Sequence, residues 1–307
     1  MNATRAHRYV VVDVFTRNAL EGNALAVFPD GAAIDERLMP RIARELNLSE
    51  TVFVFPATRP DCAAALRIFT PASELIFAGH PTVGTAYVLM QESRVPAGTE
   101  RFTLEEKVGP VPVRIETGGQ EGERPLIWLR TPPIEYGRCF DRAACAEALG
   151  LAEEDLLAID PQWVSAGNPT IFIALRDRAA VDRAWLEMDG VRRIKAGYEE
   201  PACIFVFAPT EQGAYSRMFA PELGVVEDPA TGSSTGPLAS YMRRHKLIAP
   251  HLITPHPGAR FISEQGTKMG RRSILYVQML EAAGVEVIEV GGYVTPLIEA
   301  TMTLPGA

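Results

Sequence analysis

The chain has 307 residues, 47% of them apolar and 22% charged, with a net charge of −8. That length exceeds the size at which a single core stops growing, and the composition is that of an ordinary globular protein rather than a disordered or fibrous one. Lys and Arg are scattered rather than gathered into a stripe, which argues against a nucleic-acid partner. No stretch approaches the roughly 20 apolar residues of a membrane span.

In chain order, short runs rich in β-branched and aromatic residues predict strands over 10–15, 24–28, 51–55, 66–69 and 111–115. The same style predicts strands over 171–175, 204–207, 273–279 and 285–290. Gly291-Gly292 then reads as a hairpin turn into a last strand from Tyr293. Helices are fewer. Asp35 is placed to cap a helix whose Leu38, Ile42 and Leu46 share a face and which runs into Glu50. Two more span 81–91 and 141–149, the latter closed by Gly150, and a fourth spans 234–245. Thr131-Pro132-Pro133 interrupts pairing and marks a boundary between lobes at 1–131 and 132–307, with the last strand free to return to the first lobe. The four cysteines, Cys62, Cys139, Cys145 and Cys203, form no C-x-x-C pair and show no metal-ligand spacing, so reduced thiols of a cytoplasmic protein are expected.

The chain also repeats itself. Arg67-x-Phe69-x-Pro71 returns as Arg217-x-Phe219-x-Pro221, an offset of 150. Gly79-x-x-Thr82-x-x-x-Ala86 returns as Gly232-x-x-Thr235-x-x-x-Ala239, an offset of 153, and Gly22-Asn23 is echoed by Gly167-Asn168 at 145. Three echoes in one order imply a duplicated half-chain unit, hence two lobes. Each repeat runs through glycine into a helix, whose first N–H groups lack partners within the helix and can hold an anion. Asp228, four residues before Gly232, is read as the counterpart of Glu74, five before Gly79. Ser233 is placed to cap the helix that follows it, and His80 stands at the start of the first such helix.

Several long motifs in register resemble the phenazine-biosynthesis isomerase (PhzF-like) family. They are the stretch from Phe69 to Gly84, Asp228-Pro-Ala-Thr-Gly-Ser233, the opening from Asp13 to Val27, Leu48-Ser49-Glu50-Thr51 and Gln265-Gly266-x3-Gly270-Arg271. Arg272 departs from the pattern, which has proline there. The resemblance implies a diaminopimelate epimerase-like α+β fold, two pseudo-symmetric lobes that are each a mostly antiparallel β-barrel around a central helix. It also implies a homodimer and a site between the lobes.

Glu50 is then the proton-transferring acid/base, with His80 and Asp228 orienting and polarising the substrate. Gly79, Pro81, Gly232, Ser233 and Ser234 would surround the carboxylate of a small substrate. No nucleotide, flavin or metal motif is present, so no cofactor is expected. Related racemases of this fold use a cysteine at each helix start; here neither motif contains one, which disfavours two-thiol racemisation. A racemase or dehydratase of amino or hydroxy acids, and a silent carboxylate-binding protein, are the alternatives.

Overall fold

The computed structural model describes residues 4–118, 123–195, 197–200, 202–253, 260–282 and 285–305. The chain is a mixed α+β protein that divides into two compact units, one of Met1–Arg130 with Gly291–Ala307 and one of Thr131–Val290.

The first unit begins with β1 (Thr4–Val14) antiparallel to β2 (Asn23–Phe28). A helix, α1 (Met39–Leu46), crosses to β3 (Glu50–Phe55), which runs parallel to β2 with Leu25 opposite Glu50. Asp35 does not cap α1. It folds a turn of its own by accepting the backbone N–H of Arg37, and Leu38 stands at the helix start without a capping bond. Nor does α1 run into Glu50: Asn47 takes the left-handed conformation (φ +50°) and ends it, so Glu50 opens a strand. β4 (Ala64–Phe69) pairs antiparallel with β3 and with the short β5 (Glu74–Leu75).

Next comes α2 (Gly79–Gln91), buried at every position from Gly79 to Leu89 and packed on β1, β2 and β3. A helix apolar all round needs cover on all sides. Gly84 lets β1 and β2 come close, because a Cβ there would lie 2.6 Å from Leu25 and 2.8 Å from Val14. β6 (Arg101–Glu106) runs parallel to β4, followed by antiparallel β7 (Gly109–Glu116) and β8 (Leu126–Arg130).

The second unit opens with β9 (Glu135–Cys139) and α3 (Arg142–Ala148), which Asp141 caps by accepting the Ala144 N–H. β10 (Gln162–Ser165) pairs antiparallel with β9 and with β11 (Pro169–Ala174). Two short helices, α4 (Arg178–Arg183) and α5 (Met188–Lys195), lead to β12 (Cys203–Thr210), parallel to β11. β13 (Gly213–Ala220) and β14 (Val225–Asp228) follow antiparallel. The buried α6 (Gly232–Arg244) packs on β10 and, further along the chain, on β16. A short α7 (Pro250–Ile253) precedes β15 (Phe261–Gln265), which is parallel to β13 and antiparallel to β16 (Ser273–Ala282).

The pairing order is the same in both units. A parallel pair is followed by two antiparallel steps, a parallel step back to the middle strand, and a further antiparallel strand.

After β17 (Val285–Gly292), β18 (Val294–Pro305) belongs to the first unit and runs antiparallel to β1 from Thr4↔Pro305 to Val14↔Val294. Gly291-Gly292 is therefore not a hairpin turn. Both glycines lie inside β17, and neither has the positive φ that a tight two-residue turn requires. They are small for another reason: a Cβ at Gly291 would meet the Trp128 ring at 2.5 Å, and one at Gly292 the Phe15 ring at 2.2 Å.

Candidate functional site

Three elements of the first unit bring Asn23, Glu50 and His80 together. Asp13, fully buried near the end of β1, accepts the Leu20 N–H at 2.7 Å and holds the 16–22 loop. Gly22 then turns with φ +67°, where a Cβ would sit 2.3 Å from the Val14 carbonyl oxygen, and delivers Asn23 to the first position of β2. The parallel β2–β3 register puts Glu50 at the same end of the neighbouring strand, and α2 presents His80 in its first turn.

The His80 side chain is 3% exposed and that of Glu50 14%. His80 Nε2 lies 3.1 Å from Glu50 Oε2. On the opposite edge of the ring, Asn23 Nδ2 is 3.3 Å from His80 Nδ1. An amide nitrogen only donates, so Nδ1 accepts and the ring proton sits on Nε2, facing the carboxylate. Burial pushes the imidazole well below its ordinary value, to about 3, so His80 is neutral at physiological pH. The contact is one between a neutral donor and a carboxylate, not an ion pair. It is within reach but not yet aligned as a hydrogen bond. A carboxylate at the edge of solvent beside a neutral N–H can take up a proton and return it.

In the second unit, Asp228 ends β14, is 4% exposed, and accepts the Thr231 hydroxyl at 2.6 Å. Gln265 braces that turn: its Nε2 donates to the Asp228 carbonyl at 2.8 Å and to Thr231 Oγ1 at 2.9 Å, and its Oε1 accepts the Thr231 N–H at 3.1 Å. The bend of the Gln265-Gly266-x3-Gly270-Arg271 motif packs on this turn. Gly266 has φ +75°, and a Cβ on it would lie 2.3 Å from the Arg271 carbonyl oxygen and 2.6 Å from that of Pro229. Arg272 is half exposed and reaches Glu264 at 3.4 Å.

Gly232, Ser233 and Ser234 form the first turn of α6, and all are buried. The position before the helix is Thr231, not Ser233, so Ser233 is a helical residue rather than the cap. Ser234 is tied to Thr170 at 2.8 Å between hydroxyls. Gly79 and Pro81 flank His80 in the first turn of α2; Pro81 brings no N–H of its own.

The strand registers correct the pairing of Asp228 with Glu74. Arg67 grips Glu74 with Nε and Nη2 at 2.8 and 3.1 Å, and Arg217 grips Glu227 in the same bidentate way at 2.8 and 2.9 Å. Ile68 stands opposite Leu75, and Met218 opposite Asp228. The counterpart of Glu74 is thus Glu227, and Asp228 replaces a leucine. By the same registers Glu50 corresponds to Cys203 and Asn23 to Asn168, and as the second residues of α2 and α6 His80 corresponds to Ser233. The duplication repeats the scaffold and not the chemistry.

Asn23 was visible in the sequence as part of a repeated dipeptide and of the opening motif from Asp13 to Val27, and nothing there tied it to His80. Among the described residues, no group of three or more His, Cys, Asp or Glu side chains is placed to hold a metal ion.

The model of the Phenazine biosynthesis-like protein family matches residues 12–300. The chain belongs to this family. Among curated relatives of the phenazine biosynthesis-like family, the trans-2,3-dihydro-3-hydroxyanthranilate isomerase of Pseudomonas aeruginosa is 37% identical over 93% of this chain and 95% of its own length. Among solved structures, a predicted epimerase from Pseudomonas aeruginosa is 32% identical, with a TM-score of 0.77 over 96% of this chain and 99% of that one. A Bacillus anthracis phenazine biosynthesis protein of the PhzF family shares the fold with a TM-score of 0.82 at 22% identity, over 98% of this chain and all of that one. The protein is an isomerase of the phenazine biosynthesis-like family. Among the described residues no helix is long and apolar enough to cross a membrane.

Proposed function

We propose that this isomerase moves a proton between two carbons of a small cyclic carboxylate, without a cofactor. Glu50 is the acid/base: it removes a proton from an activated C–H and returns it to a second carbon of the same molecule, so atoms balance with no co-reactant. The observation that carries this reading is the Asn23–His80–Glu50 row, in which a neutral imidazole with a fixed tautomer faces the one carboxyl of the group. Cys203 at the place of Glu50 and Ser233 at the place of His80 leave the second unit without a matching pair, which favours a single carrier over two opposed bases.

Asp228 is assigned to orienting the substrate, and the first turns at Gly79–Pro81 and Gly232–Ser234 to holding its carboxylate. Each unit is inferred to close as a barrel around α2 or α6, and two chains to form a homodimer. The substrate named for the 37% identical relative, trans-2,3-dihydro-3-hydroxyanthranilate, has the required carboxylate and activated C–H and is the first compound to try.

The test is incubation with that compound and a panel of cyclic amino and hydroxy carboxylates in D2O, followed by mass spectrometry and NMR. Deuterium should enter at carbon in the wild type, and Glu50→Gln should lose exchange about 10²–10⁴-fold while still binding. Exchange undiminished in Glu50→Gln would remove Glu50 from the role. Inversion of an amino acid α-carbon would favour a racemase instead.

A further inference from the structure

Glu106 is a buried acid that the proton-transfer step does not use. It is the last residue of β6, 4% exposed, and it reaches the start of α2. One carboxyl oxygen, Oε2, accepts the Ala78 N–H at 3.4 Å, and the other contacts the Thr82 hydroxyl. That hydroxyl also lies 2.7 Å from the Ala78 carbonyl oxygen.

Thr82 has one hydroxyl proton for these two partners, and a carbonyl oxygen can only accept. The proton on Thr82 therefore goes to Ala78, and the contact with Oε1 is completed by a proton that Glu106 supplies. Glu106 as a neutral acid closes the network: acid O–H to Thr82, Thr82 O–H to the Ala78 carbonyl, and Ala78 N–H back to the acid.

The second unit has an amide at the matching position, which holds the same backbone N–H but turns its Nε2 to the Asp228 carbonyl and Thr231 Oγ1. By strand register Gln265 takes the place of Glu106, and the matching starts of α2 and α6 set Thr231 against Ala78 and Thr235 against Thr82. Thr235 donates to the Thr231 carbonyl at 2.9 Å, and Gln265 Oε1 accepts the Thr231 N–H. A glutamine is neutral at every pH, so the position accepts a neutral acceptor-plus-donor group, which a carboxyl supplies only when protonated.

The surrounding charges do not favour ionisation. Lys107 and Arg67 are both committed to Glu74, and Glu105 is turned to Thr58 and Arg59. Gly109 stands opposite Glu106 on β7, and His80 on α2 is neutral. Burial outweighs the Thr82 and Ala78 contacts and lifts the carboxyl to about 8.

We propose that Glu106 is a proton-dependent positioning residue, which as a neutral acid ties the Ala78–Thr82 turn that seats His80 beside Glu50 and releases that turn when it loses its proton. Ionised Glu106 needs the Thr82 proton for itself, which breaks the bond to the Ala78 carbonyl two residues before His80. The activity consequence rests on the proton-shift reading above; the protonation and its effect on His80 do not.

The experiment compares wild type with Glu106→Gln from pH 6 to 10. Infrared difference spectra should show a protonated carboxyl band in the wild type that disappears across the alkaline range and is absent from Glu106→Gln. Over the same range the ¹⁵N signals of His80, assigned by their loss in His80→Gln, should shift in the wild type and stay fixed in Glu106→Gln. Exchange activity should show an alkaline fall in kcat that moves upward by at least one pH unit in the variant. A wild type without the band, or His80 signals that ignore its titration, overturns the proposal. An alkaline limb identical in both proteins overturns its link to turnover. If no carboxylate exchanges but band and His80 shift are seen, the functional reading fails and the role of Glu106 stands.

Discussion

Glu106→Gln should stabilise the protein, by an amount that grows with pH. In the folded state burial raises the Glu106 carboxyl from 4.5 to about 8. A group raised in this way contributes its full share below the unfolded value and loses it as pH climbs through the folded one. Near pH 4 the carboxyl is mostly neutral in both states, and the two proteins should differ mainly by local packing. Above pH 4.5 the unfolded chain sheds this proton while the folded chain keeps it. The wild type then loses about 1.4 kcal/mol per pH unit relative to the variant.

The loss should level off near pH 8, with a gap on the order of 5 kcal/mol, smaller if ionisation lets water reach the start of α2. Glutamine preserves the contacts, since its Oε1 can accept the Ala78 N–H, as Gln265 accepts that of Thr231, while its Nε2 donates to Thr82 Oγ1. Urea unfolding of both proteins at pH 4, 6, 7 and 8.5 measures the gap, and every other titrating group cancels in the difference. A gap that is flat in pH, or a wild type more stable than the variant at pH 8.5, would refute the buried neutral acid.

Asn23→Ala removes the donor that fixes the His80 tautomer, and should lower kcat about 10–100-fold with a smaller change in KM, whereas Asn23→Asp, which draws the ring proton to Nδ1, should be worse. Steady-state kinetics of the two variants, with circular dichroism to show that both fold, check this. Glu227→Ala leaves the buried Arg217 guanidinium against the carbonyls of Val181, Asp182 and Ala184 without its carboxylate, and should cost about 3 kcal/mol in urea unfolding. Glu74→Ala, whose Arg67 is more exposed, should cost less. Gly266→Ala places a Cβ against two carbonyl oxygens at positive φ and should cost about 2–4 kcal/mol, readable as a drop in Tm.

The sequence by itself determined the duplication and the family. Both rest on local signals: glycines where a helix start or a left-handed turn requires them, and an Arg-x-Phe-x-Pro run repeated at one offset. Strands with strong β-branched runs, such as β3 and β12, were legible for the same reason. Weaker ones, such as β6 (RFTLEE) and β9 (EYGRC), carry too few apolar residues to stand out and are held by their neighbours.

What only the tertiary structure decided was which residues meet. Asn23, Glu50 and His80 are up to 57 positions apart and converge because β2 and β3 run parallel and α2 packs on them. Strand register, invisible in a linear motif, moved the partner of Glu74 from Asp228 to Glu227, because a one-residue slip in counting turns a side chain to the other face of the strand. Register also paired Glu106 with Gln265, the last residues of the short runs Arg101-Phe102-x-x-Glu105-Glu106 and Arg260-Phe261-x-x-Glu264-Gln265. Their likeness lies in the backbone groups they hold, the N–H of Ala78 and that of Thr231, and only folding puts those groups within reach of the side chains.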